Sequence, residues 1–180
     1  MPQVLGGDGM NLIRVQAGSS CGIDTHNWPV FGRILKECDY NLDKVVVDPF
    51  ARNCPLGGRW TNDINPTTSS MYHLPAQEFL ESVPTNTADI LIFDPPFSNI
   101  QAERKYGEGA NLYTEPGTIK KMMIEISRVL KPGGIMIKFG YNSSRHFNAE
   151  FVRGYAINFG GNRNDVLCTV WRNVQTTLFT

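Results

Sequence analysis

Neither charge sign is in excess in this sequence: seventeen Lys and Arg meet seventeen Asp and Glu. A balanced chain lacks the bulk positive field that coats nucleic acid without regard to sequence. Long hydrophobic runs are missing too, and no window approaches the ~18 uncharged apolar residues that a membrane span requires. The four cysteines (Cys21, Cys38, Cys54, Cys168) form no C-x-x-C pair, and His26, His73 and His146 stand apart from them. Paired ligands two to four residues apart normally announce zinc, so the thiols read as reduced and structural and no metal is expected. Residues Met1 to Gly6 show neither the basic segment nor the apolar core of a secretory leader. The expected location is the cytoplasm (a host's, if the chain is phage-encoded), with no membrane partner.

No repeat, low-complexity tract or Pro/Gly/Ser linker divides the 180 residues, a length that suits one domain. Hydrophobic residues make up 41% and charged residues 19%, enough for a packed core. The charges are polarised. The first hundred residues hold six basic against eleven acidic side chains, and the last eighty hold eleven against six. Either one face favours a polyanion, or strands that end in Asp gather acid in the first half.

Residues 1–25 have no period and read as a loose lead-in to one domain over 26–180. After Asn27-Trp28-Pro29, the apolar positions Val30, Phe31, Ile34, Leu35 and Cys38 recur at helical spacing, with proline near the first turn. Lys44–Val47 is a β-branched strand ending in Asp48-Pro49, and Asp89–Phe93 is the clearest strand, ending in Asp94-Pro95-Pro96-Phe97. Short strands are expected around Arg59–Asn62 and at His73–Leu74, with a brief helix at Phe79 and Leu80. Ser98–Tyr113 reads as a polar, Gly-rich loop. Ile119, Met122, Met123, Ile126, Val129 and Leu130 form the apolar stripe of the best helix, which stops at Lys131-Pro132-Gly133-Gly134. Ile135–Phe139 is the next strand; Phe151–Phe159 and Val166–Trp171 close the chain as a hairpin. Alternating strands and helices predict a doubly wound α/β fold with a mostly parallel sheet and a C-terminal antiparallel hairpin. Ligands of such sheets bind at the carboxyl ends of the strands, where Asp48, Asp63 and Asp94 are expected.

The Asp94-Pro95-Pro96-Phe97 turn carries the most specific chemistry. Its two prolines remove two N–H donors and stiffen the backbone, so its carbonyls can only accept. Asp94 adds an acceptor and Phe97 a flat ring. That set suits a planar group with an exocyclic amine, both N–H bonds met by acceptors and its π-face stacked on the aromatic.

This turn resembles the hallmark of the class I S-adenosylmethionine-dependent amino-methyltransferases, [DNS]-P-P-[YFW], a Rossmann-like fold. Val45 through Ala51 resembles the family's first motif, D-P-F-x-G-S-G. The likeness extends to small phage-type adenine-specific DNA methyltransferases through Thr61-Asn62-Asp63-Ile64-Asn65-Pro66, Tyr72-His73, Phe93 to Phe97, Leu130 to Gly134, and a terminal Gly-Gly-x-x-Asn-Asp. It covers roughly residues 26–173. What it implies is methylation of the adenine amine in DNA with S-adenosyl-L-methionine as cofactor. Asp48, Pro49, Phe50 and Ala51 would hold the cofactor's amino-acid end, Asp63 with Ile64 its ribose, and Leu74, Pro75 and Ala76 its adenine. Asp94, Pro95 and Pro96 would receive the target amine and Phe97 would stack on the base. Arg104, Lys105 and Tyr106, with Lys120, Lys121 and Arg145, are the cations and ring nearest to such a target. So small a reader implies a short recognition site, a homodimer or weak specificity. Asn27-Trp28-Pro29 reads either as a lid on the methionine end or as an apolar plug.

The sequence departs from the family at three places. Arg52 and Cys54 replace its glycines, leaving Asn53 as the residue that best tolerates a positive φ there. The ten residues between Pro49 and Trp60 are too few for a full crossover helix. Pro75 stands where an acid usually holds the cofactor's adenine amine, leaving that contact to backbone carbonyls or Gln77. Two alternatives stay open. One keeps the fold and methylates RNA, guanine or cytosine amines, or protein glutamine; the other is a non-catalytic module that binds nucleic acid or a partner chain. A dinucleotide-binding dehydrogenase is disfavoured by the missing G-x-G-x-x-G.

Overall fold

Strand β5 (Ala88–Phe93) runs through the interior of the sheet, because every second residue on each of its faces is apolar. Ile90 and Ile92 point to one helical layer while Leu91 and Phe93 point to the other. The computed structural model of the chain describes residues 4–5, 12–17, 25–54, 56, 59–106, 117–142, 148–160 and 164–174. In chain order its other elements are β1 (Val4–Leu5), β2 (Leu12–Gln16), α1 (Pro29–Glu37), β3 (Val46–Asp48), β4 (Trp60–Thr61), α2 (Ala76–Ser82), α3 (Asn99–Tyr106), α4 (Thr118–Val129), β6 (Leu130–Gly140), β7 (Ala149–Asn158) and β8 (Val166–Asn173). They form one eight-stranded sheet in the order β1-β2-β7-β8-β6-β5-β3-β4. Strands β4, β3, β5 and β6 are parallel. β8 enters antiparallel between β6 and β7, so the C-terminal hairpin is present as expected.

One face of the sheet is covered by α1, through Val30, Phe31, Ile34 and Leu35. The other is covered by α2 and α4, through Phe79, Leu80, Met122, Met123 and Ile126. Each such side chain contributes about 1.5–3 kcal/mol when fully buried. Two cores on either side of one sheet are what hold the strand ends in register.

Four expectations are corrected. Within residues 1–25, taken as a lead-in, Leu12–Gln16 is a strand parallel to β7. The alternation of Leu12, Arg14 and Gln16 with Ile13 and Val15 is short and flanked by glycines, so it carries little signal alone. The two strands approach closely at Gly154, where a Cβ would require the end of the Leu12 side chain to shift. His73–Leu74 is not a strand. A single bridge joins Asn62 and Tyr72, and the backbone of Leu74 is met by the Asn62 side chain instead of a ladder. The loop expected from Ser98 begins as helix α3. Ser98 Oγ accepts from Gln101 N–H at 3.2 Å as an N-cap, and Gln101 Oε1 accepts from the N–H of Phe97, the residue before the cap, at 2.6 Å. Finally, Lys131–Gly134 does not separate α4 from its strand. It is a bulge inside β6, where Ala88 pairs with Leu130 and Ile90 with Ile135. Between β3 and β4 the described residues hold turns and no helix, as the short spacing requires. Among the described residues no helix is long and apolar enough to cross a membrane.

Candidate active site

Three acids meet at the carboxyl edge of the parallel strands. Asp48 ends β3, Asp94 follows β5, and Asp63 lies just beyond β4 at 1% exposure. The loop after β3 is fastened to them by backbone bonds. Phe50 N–H donates to Asp48 Oδ1 at 3.0 Å, Asn62 N–H to the Asp48 carbonyl at 2.9 Å, and Ala51 N–H to the Asn62 carbonyl at 2.8 Å. Asn62 is buried and ties two loops together. Its Nδ2 donates to the carbonyls of Pro49 at 3.1 Å and Leu74 at 3.0 Å, while Oδ1 accepts from Leu74 N–H at 2.9 Å. The loop after β3 and the Leu74-Pro75-Ala76 segment are therefore held by one side chain.

Arg52 takes the left-handed conformation in the turn, at φ 52°. The expectation had put that freedom on Asn53; instead the arginine adopts the backbone that glycine would take without strain. Asn53 secures the turn, its Oδ1 accepting from Ser69 N–H at 2.9 Å, and Ser70 Oγ donates to the Arg52 carbonyl at 2.9 Å. The Arg52 guanidinium folds into the crevice, one of its nitrogens closed off from solvent. With Thr25, Asp48, Phe50, Cys54 and Asp94 it lines a cavity of about 20 Å³, room for a single water.

Burial pushes the Asp48 carboxyl up to about 8, with the nearby charges of Asp94 and Asp63 adding to the rise and the Phe50 N–H opposing it. Burial likewise raises the Cys54 thiol to about 12. Tyr106 of α3 donates to Asp63 Oδ2 at 3.3 Å, and its phenol is raised above the usual range by burial and by that carboxylate. Asp63 Oδ1 accepts from Asn65 N–H at 2.8 Å, and its carbonyl lies 3.0 Å from His73 Nδ1. Tyr106 is thus placed at Asp63. Arg104 is exposed, the Lys105 side chain and Arg145 lie outside the described residues, and Lys120 and Lys121 are exposed on α4. Ile64 is 48% exposed beside Asp63. Leu74 is half-buried, Ala76 is buried, and Pro75 caps α2 with its carbonyl given to Phe79 N–H. Gln77 donates to Glu81.

The alternation of β5 continues into the turn that follows it. Ile92 and Asp94 face the small cavity beside Asp48. Phe93, Pro95 and Phe97 face a second cavity of about 160 Å³ toward α4. The Asp94-Pro95-Pro96 corner is the wall between the two. On the far side Phe97 meets Tyr141 edge-on, with ring centres 5.0 Å apart at 67°. Lys138, from β6, lines the same cavity at 7% exposure and donates to Asn142 Oδ1 at 3.2 Å. Sequence reasoning missed Lys138, Tyr141 and Asn142. Their only signal was their place at the end of the strand after the Pro-Gly-Gly turn.

Thr25 is a second addition. It lies in a short 3₁₀ turn (Thr25–Asn27), and its hydroxyl donates to the Asp94 carboxylate. Trp28 takes the plug role: it is buried, and its ring meets Phe159 at 4.7 Å and Phe139 at 6.1 Å. No cluster of His, Cys, Asp or Glu among the described residues is arranged to hold a metal.

The strand order β4-β3-β5-β6-β8-β7, with acids at the tips of β3 and β5 and an antiparallel β8, defines the Rossmann-like fold of the class I methyltransferases. No protein-family model matches the sequence, and no curated protein does. Solved structures do match. The chain is similar to yhhF of Escherichia coli, provisionally assigned as a methyltransferase, at a TM-score of 0.54 and 12% identity over 82% of this chain and 85% of that one. It is also similar to HI0767 of Haemophilus influenzae, provisionally assigned as a methylase (TM-score 0.52, 13% identity, 81% and 97% covered). A third is the N-methyltransferase NodS of Bradyrhizobium japonicum (TM-score 0.50, 11% identity, 82% and 98% covered). At these identities the likeness establishes the fold.

Proposed function

We propose that the protein transfers a methyl group from S-adenosylmethionine to the exocyclic amine of adenine in DNA. The observation that carries this reading is the donor-free Asp94-Pro95-Pro96 corner, placed between an acid-lined crevice and an aromatic cavity at the tip of β5. The methyltransferases that share the fold support the class of reaction.

The donor set fits the cofactor in its chemistry. Asp48 and Asp94 face the crevice in which a sulfonium and an ammonium would need anionic neighbours, and Asp63, buried behind Tyr106 just outside it, would accept the ribose hydroxyls in place of the phenol. The crevice is narrow, and of the residues that line it Arg52 has the longest and most flexible side chain, able to turn aside. The cofactor supplies a methyl group on an excellent leaving group, so the protein's work is positioning. Asp94 and the Pro95 carbonyl accept the two N–H bonds of the target amine. Holding both hydrogens in the plane turns the nitrogen's lone pair toward the crevice. Asp94 then takes the proton that the methylated amine must lose, or passes it to water. An adenine within a duplex is stacked, so it must first be turned out of the helix.

One observation favours a second reading, a non-catalytic module of the same fold: Arg52 lines the small crevice that the cofactor needs, with one guanidinium nitrogen closed off from solvent. Calorimetry separates the two. Titration with S-adenosylmethionine and with its demethylated product should give measurable heat; none at millimolar ligand would favour the module. The decisive experiment incubates the protein with unmethylated genomic DNA and cofactor, digests the DNA, and identifies the modified nucleoside by mass. N6-methyladenosine in RNA alone, or methylated glutamine, would redirect the acceptor.

A further inference from the structure

We infer that Lys138 reads the acceptor base, its ammonium donating to the ring nitrogen that flanks the amine held at the Asp94–Pro95 corner. The inference rests on the acceptor role proposed above for that corner and adds the group that selects what enters.

The cavity beyond Pro95 has space for about five waters, the scale of one planar base. Its walls are apolar: Phe93 and Pro95 on one side, Ile119 of α4 on another, with Phe97 and Tyr141 as a pair of rings. Tyr141 is 51% exposed, so the ring pair opens toward solvent. Into this setting β6 projects one cation. Lys138 stands opposite Phe93 in the β5–β6 register, on the face of the sheet that bears the cavity. A lysine is rarely buried this far unless its ammonium is paired. Its ammonium is confined by its bond to Asn142, at the end of the same strand. Desolvation lowers its pKa, so the charge is exposed to a medium that strengthens any bond it makes.

Lysine has three donors and no acceptor. A partner beside the amine must therefore present a lone pair, as adenine does at N1 and N7. The corner supplies acceptors for the amine, and Lys138 supplies the matching donor for the ring. Together they describe the edge of an aminated heterocycle, rather than an isolated amine.

The test titrates labelled single-stranded oligothymidylates carrying one central adenine, 1-deazaadenine or 7-deazaadenine. Fluorescence anisotropy is read in the presence of demethylated cofactor for the wild type, Lys138→Met and Lys138→Arg, after thermal melts confirm that the variants fold. The wild type should bind adenine about tenfold or more tightly than one of the two analogues, as loss of a charged hydrogen bond implies. Lys138→Met should bind all three alike, and Lys138→Arg should keep part of the preference. Equal binding of all three probes by the wild type would overturn the inference, a result independent of any variant's folding. So would a preference that survives in Lys138→Met. Both results leave the proposed reaction standing, provided that adenine is still methylated. Failure of the wild type to bind any of the probes would bring down the reaction and this inference together.

Discussion

The Thr25 hydroxyl donates a hydrogen bond to the Asp94 carboxylate, joining residues sixty-nine positions apart at the carboxyl edge of the sheet. Nothing in the primary pattern pairs them. The bond fixes one oxygen of the acid to the turn that precedes α1, so the acceptor corner is anchored from outside its own strand. We expect Asp94→Ala to abolish methyl transfer with a melting temperature close to that of the wild type. Thr25→Val should lower kcat about tenfold while leaving cofactor affinity nearly unchanged, since a hydrogen bond to a charged group contributes about 1.5–3 kcal/mol. Undiminished turnover in Asp94→Ala would remove the corner from the mechanism.

Asp48 links binding to pH. Its folded carboxyl is raised to about 8, against 3.8 for the unperturbed group. Between these values the folded state holds a proton that the unfolded state has released. Its contribution to stability is therefore full below about pH 4, falls as pH rises toward 8, and is flat above. A cationic ligand favours the ionised form, so binding expels the proton. Cofactor affinity should rise up to about tenfold per pH unit below pH 8, with a calorimetric enthalpy that depends on the buffer. Asp48→Asn should remove both the slope and the buffer dependence.

Arg52 is held in a backbone conformation that costs a non-glycine residue about 1 kcal/mol or more. Substitution by glycine relieves that strain but adds freedom to the unfolded chain. Stability measured by denaturant should then change by less than about 1 kcal/mol. The crevice loses a cation and gains room, so S-adenosylmethionine should bind several-fold more tightly in a titration. Weaker binding would instead make the guanidinium a partner for the ligand's carboxylate.

Asn62 is predicted to matter more than its sequence suggests. Removing its amide in Asn62→Ala strands the Pro49 and Leu74 carbonyls and the Leu74 N–H in a buried place. The expected loss is about 2–4 kcal/mol, visible as a lower denaturant midpoint. Cofactor affinity should fall as well, because the loop after β3, which lines the crevice, loses its tie to the Leu74 segment.

The sheet and its acidic strand tips were legible because they follow local rules. Ile90–Phe93 is apolar throughout, and α4 shows its stripe at Met122, Met123 and Ile126. What escaped depended on partners far away in sequence. Strand β2 is recognisable only beside β7, and the buried character of Lys138 only opposite Phe93. Helix α3 was overlooked although Ser98-x-x-Gln101 carries a start signal, since the glycines and polar residues after Tyr106 masked it. Arg52 shows the opposite case: its type spoke against a left-handed turn, and the fold imposed one.

The wall formed by Asp94, Pro95 and Pro96 has one further consequence. Two chambers lying side by side at the tip of β5 invite a single compound reaching into both past the corner. A methionine-like head joined by a short tether to an aminopurine should inhibit more strongly than its halves combined, because the two fragments would be delivered already aligned.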